Sequence, residues 1–367
     1  MGAREIESLA EFDRLVAAGA TSMRGWQLQD LDLTGHGAVL ARLDPRGAML
    51  LGCRLPDGAA DALHNGGAVL FPALPDLPFD PYRAHLYTSD ELYAGLDTDY
   101  VDTFDARVYA WTQRVEANAI GDTLAQALHD HAVDDALGEH VHGARIVGVM
   151  GGHDLLRDDP AYADAARLGH QLSVAGLTVA TGGGPGAMEA ANLGGRLGEA
   201  AAETVEVALA SLAGVPSYQP SVTAWARSGF AALAETVTCA RSVGVPTWFY
   251  GHEPPNVFAA AVAKYFRNSI REDVLLGLSN AGIVFLPGAA GTVQEIFQVA
   301  CEDYYADAGH VVPMVLVGRD YWTELLPAWP LLGALVAGRP AAGSVYLVDR
   351  TDEVLPVLAD EPRVRPG

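Results

Sequence analysis

From Ala144 onward the hydrophobic positions alternate between two patterns. Short, unbroken apolar runs read as strands: RIVGVM before Gly151, LTVAT before Gly182, VGVPTWFYG, AGIVFLPG, VVPMVLVG and SVYLVD. Between them, stretches such as PAYADAARLGHQLSVAG carry apolar residues at helical spacing and end in glycine. Continuous apolar strands separated by helices require a parallel sheet covered on both faces. The pattern therefore predicts an α/β domain over 144–360, a Rossmann-like, doubly wound parallel sheet flanked by helices. Residues 1–96 read differently, as a helix from Glu5 to Ala18 followed by shorter strand-like runs (LQDLDLTG, AVLARLD, AMLLGCRL, AVLFPAL) broken by Gly and Pro. This predicts a smaller N-terminal α/β module with no evident internal repeat. After a Pro-rich stretch, helical spacing over 97–143 predicts a connector.

Composition narrows the function. The 367 residues carry a formal net charge of -23, which repels nucleic-acid backbones and anionic membrane surfaces and favours a small ligand held by local groups. No apolar run is long enough to cross a bilayer, and the start MGAREIESLAEFDRLV is an acidic, amphipathic sequence, so a cytoplasmic location is expected. Cys53, Cys239 and Cys301 fit neither a disulfide framework nor a metal set and are expected reduced and mostly buried. His129, His131, His140 and His142 lack metal-site company and are expected at the surface; no metal or cofactor is expected. Lys264 is the single lysine among 23 basic residues, and its surroundings, AAAVAKYFRNSI, do not suit a Schiff base on a pyridoxal cofactor.

Two glycine turns carry the candidate chemistry. Thr181-Gly-Gly-Gly-Pro-Gly-Ala-Met188 follows a strand and opens a helix, without the spacing of a dinucleotide fingerprint or the Lys-Ser/Thr end of a triphosphate loop. It is either a tight structural turn or a place where a ligand reaches backbone and helix N-terminus. Leu286-Pro-Gly-Ala-Ala-Gly-Thr-Val-Gln-Glu295 repeats the arrangement and offers N–H groups and a hydroxyl to an anion. Glu295, three residues after Thr292, fits a helix-capping box or a site carboxylate.

The pair GGGPGAME and PGAAGTVQE resembles the paired GGGxxGxM and PGGxGTxxE motifs of the LOG family of nucleotide phosphoribohydrolases, formerly labelled lysine decarboxylase-like. The resemblance covers about Arg145 to Leu358. It implies catalysis by the closing glutamate, here Glu295, with an arginine from the preceding helix. Counting from HEPPN (His252 to Asn256), which resembles the EPPN segment of longer bacterial members, selects Arg271, while counting back from Pro287 is offset by one and leaves Arg267 open. The implied binding surface comprises Gly182, Gly183, Gly184, Gly186, Met188 and Glu189 from the first motif and Gly288, Ala289, Ala290, Gly291 and Thr292 from the second. Gly152 and His153 follow the first strand at the carboxyl end of the sheet and are candidates either to touch the ligand or to cap the loop, and the implied ligand is a nucleoside 5′-monophosphate. Ala289 departs from the usual glycine and puts a methyl at the phosphate seat.

The implied reaction is hydrolysis of the N-glycosidic bond to free base and ribose 5-phosphate. Glu295 would stabilise an oxocarbenium-like transition state and Arg271 would clamp ribose or phosphate, since a guanidinium does not give up its proton. Two other classes stay open. Some LOG-like proteins bind a phosphorylated cofactor such as molybdenum cofactor without hydrolysis, a carrier or sensor role, and the N-terminal module is a candidate regulatory or partner-binding domain. The resemblance also implies a homodimer or larger homo-oligomer.

Overall fold

The computed structural model describes residues 4–114, 120–234, 236, 238–239, 241–251, 253–307 and 309–360. It divides into two compact units, Met1–His85 with Val115–Ala136, and Leu86–Arg114 with Leu137–Gly367. The boundaries differ from those the sequence suggests, because the 97–143 stretch is no free-standing connector: its first helix belongs with the second unit and most of its second helix with the first.

The first unit holds strands β1 (Arg4–Ile6), β2 (Trp26–Gln29), β3 (Met49–Leu51) and β4 (Val69–Phe71), all parallel and paired in sequence order. Helix α1 (Leu9–Ala17), the short α2 (Gly37–Leu40) and α3 (Ala59–Asn65) connect them. This is a repeat that the sequence reading missed: three successive coils, each one short strand and one return segment. Ile6, Leu28, Leu50 and Leu70 lie in register across the sheet and join one apolar core with Phe12, Met23 and Leu33. Gly25, Gly47 and Gly67 occupy the same position in each coil, with positive φ and a backbone ladder from Gly25 N–H to Gly47 O and Gly47 N–H to Gly67 O, each 3.0 Å. Helix α1 starts later than expected because Ser8 caps it, its hydroxyl accepting from Glu11 N–H at 3.3 Å, which frees 4–6 for a strand. Helix α6 (Ile120–His140) contributes its residues up to Ala136 to this unit. His129, expected at the surface, is fully buried there, packed edge-on against Phe79 and bonded through Nδ1 to Asp130 at 3.2 Å; burial lowers its pKa.

In the second unit α4 (Ser89–Leu92) and α5 (Phe104–Thr112) precede a seven-stranded parallel sheet of β5 (Ile146–Met150), β6 (Thr178–Thr181), β7 (Ser242–Gly244), β8 (Ala261–Val262), β9 (Gly282–Phe285), β10 (Met314–Val317) and β11 (Val345–Val348). Its order is β11-β10-β9-β5-β6-β7-β8, a doubly wound α/β sheet. Helices α7 (Pro160–Val174), α8 (Ala187–Arg196), α9 (Ala202–Leu212), α10 (Val222–Ala234), α11 (Asn268–Leu278), α12 (Ala290–Tyr305), α13 (Ala328–Val336) and α14 (Val354–Asp360) flank it. Strand β8, inside AAAVAKYF, was not foreseen. Just beyond it, Lys264 is buried and its Nζ lies 2.5 Å from Asp105 Oδ1 on α5, which also accepts from Trp248 Nε1 at 2.8 Å. The single lysine is thus an internal ion pair that ties α5 to the sheet. No helix among the described residues is long and apolar enough to cross a membrane.

Candidate functional site

The chain runs from β5 outward through β6, β7 and β8, then returns to the other side of β5 with β9, β10 and β11. The crevice outside the carboxyl ends of β5 and β9 is therefore the topological switch point, where open α/β sheets bind ligands. The segment after β5 and both glycine turns meet there. Ala187 N–H donates to Gly152 O at 3.0 Å, and Gly152 N–H donates to Pro287 O at 3.0 Å, so the segment after β5 lies between the turns and bonds to each.

Gly186 caps the N-terminus of α8 at φ +70°, and a Cβ there would sit 2.4 Å from Gly152 O; only glycine allows this approach. Gly288 is constrained from the other side, since its Cβ would fall 2.2 Å from Thr292 Oγ1. The first turn is braced from beneath. Thr181 Oγ1 accepts from Gly183 N–H at 2.9 Å and donates to Asn192 Oδ1 at 2.6 Å. Asn256, of the EPPN segment, donates from Nδ2 to Gly184 O at 3.0 Å and is 1% exposed. It braces the first turn; His252 lies outside the described residues.

The second turn leaves Ala289, Ala290 and Gly291 exposed and Gly288 and Thr292 buried. Ala289 is the N-cap of α12, with no side-chain capping bond, so Thr292 and Glu295 form no capping box. The first helical N–H groups have no partner within their own helix and face the crevice with the positive end of its dipole. Glu295, one turn further on, meets Arg271: Nη1 lies 3.4 Å from Oε1, with side-chain exposures of 10% and 12%. Arg267, the other candidate arginine, is exposed at the N-cap of α11. Glu272, the neighbour of Arg271, accepts instead from Asn268 Nδ2 and Gln294 Nε2 at 2.7 and 2.6 Å.

Arg271 Nη2 lies 3.1 Å from where a Cβ on Gly182 would stand, so the guanidinium lies over the first turn while it contacts the carboxylate from the second. Its Nε is buried without a hydrogen-bond partner. Burial pushes the Glu295 carboxyl up to about 7; Arg271 opposes the shift and Glu272 and Glu253 add to it. A carboxyl titrating near neutrality can hold or accept a proton under ordinary conditions.

Met188 extends back over the first turn, its Sδ 2.8 Å from a Cβ position on Gly182. His153 reaches Glu253 Oε1 through Nδ1 at 3.3 Å and Asp154 Oδ1 through Nε2 at 3.0 Å. Beside them lies a cavity of about 190 Å³ whose walls include His153, Gly186, Glu189, Tyr218 and Trp225. A larger one, about 560 Å³, opens between α7 and the ends of β9, β10 and β11, with Arg167, Arg350 and Pro287 in its lining. Neither is lined by Arg271 or Glu295.

Glu189 is fully buried and engaged by Arg157, Nη2 to Oε1 at 2.5 Å with Nε also within reach of both oxygens. Arg157 continues to Ser228 Oγ at 2.7 Å and lies 4.7 Å from the Trp225 ring centre, so it fixes the far wall of the smaller cavity. Sequence reasoning passed over this arginine, which sits in LLRDDP without a motif. Among the described residues no group of His, Cys, Asp and Glu is arranged to hold a metal ion. Cys239 is buried, but Cys301 is exposed and Cys53 only partly covered; all three are free.

No family model and no curated protein matches the chain. Among solved structures it is similar to the molybdenum cofactor binding protein of the phototrophic bacterium Rippkaea orientalis, at 17% identity and a TM-score of 0.37 over 60% of this chain and 98% of that one. It is also similar to the Moco carrier protein of Chlamydomonas reinhardtii, at 18% identity and a TM-score of 0.34 over 59% and 99%.

Proposed function

We propose that this chain binds a small phosphate-bearing ligand, a nucleoside 5′-monophosphate or a phosphorylated cofactor, at the switch point between β5 and β9. One observation carries the reading: two strand–glycine–helix turns are stitched together through Gly152, so that the N-termini of α8 and α12 converge on one crevice. The α12 N-terminus, with Ala289, Ala290 and Gly291 exposed beside the buried first turn, favours an anion without a cluster of lysines, which suits a chain with only one lysine. The resemblance to the LOG family rests on the same two turns and would bring a homo-oligomer with it.

A second reading adds turnover, and the Arg271–Glu295 contact favours it. Water would add across the bond between C1′ and the base nitrogen, its hydroxyl going to C1′ and its proton to the departing base. Glu295, ionised, would stabilise the positive charge developing at C1′ and orient the water, and Arg271 would hold the ribose phosphate against the first turn.

Calorimetric titration of AMP, GMP, CMP, UMP, IMP and isopentenyl-AMP, with free base measured in parallel, tests both readings. Saturable binding that Gly288→Val weakens at least about tenfold is expected; no binding by any member, or binding indifferent to Gly288→Val, sinks the proposal. Base release lost in Glu295→Ala establishes the hydrolase, whereas binding without release establishes the carrier or sensor.

A further inference from the structure

Side chains alternate across each strand of the first unit. Ile6, Leu28, Leu50 and Leu70 enter the core, so their neighbours Gln27, Gln29, Met49, Leu51 and Phe71 point from the other face. That face encloses a cavity of about 250 Å³, the volume of about eight waters at liquid density. Met49, Leu51 and Phe71 form its floor, Leu128 and Ala132 of α6 its roof, and Pro81 and Tyr82 one side. The small Ala132 leaves a gap between helix and sheet where a larger residue would close it.

The polar lining is specific in kind. Gln27, Gln29, His131 and Asp135 are its hydrogen-bonding groups besides Tyr82, and no lysine or arginine is among the lining residues. Tyr82 directs its hydroxyl to Pro72 O at 2.9 Å, and Gln29 spends Nε2 on Arg83 O at 3.1 Å, leaving its carbonyl oxygen as the acceptor. The cavity thus offers amides, an imidazole and one carboxylate around an apolar slot, and its charge disfavours anions. Such a lining matches a flat ring with N–H donors and carbonyl or ring-nitrogen acceptors along its edge.

We infer that the first unit carries a second ligand site that takes an uncharged, ring-sized heterocycle of the free nucleobase class, stacked between the sheet floor and α6, with its polar edge on Gln29 and Asp135. A nucleoside monophosphate is excluded, because its phosphate would enter a cavity that has a carboxylate and no cation. The inference is independent of the phosphate-ligand reading.

Titration calorimetry on the full chain with adenine, hypoxanthine, cytosine and uracil tests it. At least one base is expected to bind saturably, one per chain. Ala132→Phe, which fills the slot, should weaken that binding at least about tenfold while leaving the AMP titration unaltered. If Ala132→Phe lowers the melting temperature, Asp135→Asn carries the test: it changes a half-buried edge group and should weaken bases that present N–H donors. No saturable binding of any base up to its solubility limit, or binding unchanged in both variants, overturns the inference.

Discussion

Both units are built on all-parallel sheets, yet they solve the problem of a parallel connection in opposite ways. In the second, strands β5, β6, β9 and β10 are buried along their whole length, and long crossovers place helices on both faces. In the first, strands of three or four residues return through segments that carry one short helix region each, and only some positions are buried, as β4 shows with an exposed Val69 and half-buried Leu70 and Phe71. A deep sheet can reverse its winding and so make a crevice at its carboxyl edge, whereas a coil stacked in sequence order has no switch point, and its open face accepts a ligand only where another element covers it.

The contrast can be broken at its strongest joint first. Arg157→Met should leave Glu189 as an uncompensated buried carboxylate and cost about 3–5 kcal/mol, read by denaturant unfolding; a cost under about 1 kcal/mol would mean that the pair does not hold the second unit's wall. Leu50→Ala cuts the ladder of the first unit and should cost about 2–4 kcal/mol. The loss should appear in hydrogen exchange at β1 to β4, and equal loss of protection in β5 and β6 would contradict the division into two units.

Glu295→Gln should come next, with a pH dependence of definite sign. A carboxyl raised from 4.5 to about 7 keeps its proton in the folded chain after the unfolded chain has released it, so the wild type loses stability as pH climbs through that window. The glutamine variant does not, and above pH 7 it should be the more stable by on the order of 2–3 kcal/mol, with no gain below pH 4; parallel melting curves at both ends would refute the shift. Smallest is Gly47→Ala, where φ is +76° and the nearest atom to an added Cβ is 3.5 Å away: about 1–2 kcal/mol of backbone strain and no steric clash.

The second unit was readable because its strands are continuous apolar runs and its turns concentrate glycine, so the doubly wound sheet and the neighbourhood of Glu295 followed from the sequence. The choice between Arg267 and Arg271 did not, since both lie near the start of one helix and only packing buries the second. The coil repeat escaped notice because each coil contributes one inward aliphatic and one glycine to the shared pattern, Leu28 with Gly25, Leu50 with Gly47 and Leu70 with Gly67, too few for periodicity to stand out. Buried ionic residues were the least visible of all. Arg157, Lys264 and the buried His129 are defined by partners distant in sequence or by tertiary burial, which residue type alone does not reveal.

The sequence-order pairing of β1 to β4 has one more consequence. Because each coil rests only on its neighbours, the unit is extensible: duplicating one coil would insert another strand and widen the floor by one strand spacing without rewiring any other connection. A descendant of this chain could therefore acquire a roomier slot by a single in-frame duplication, a route closed to the reversed winding of the larger sheet.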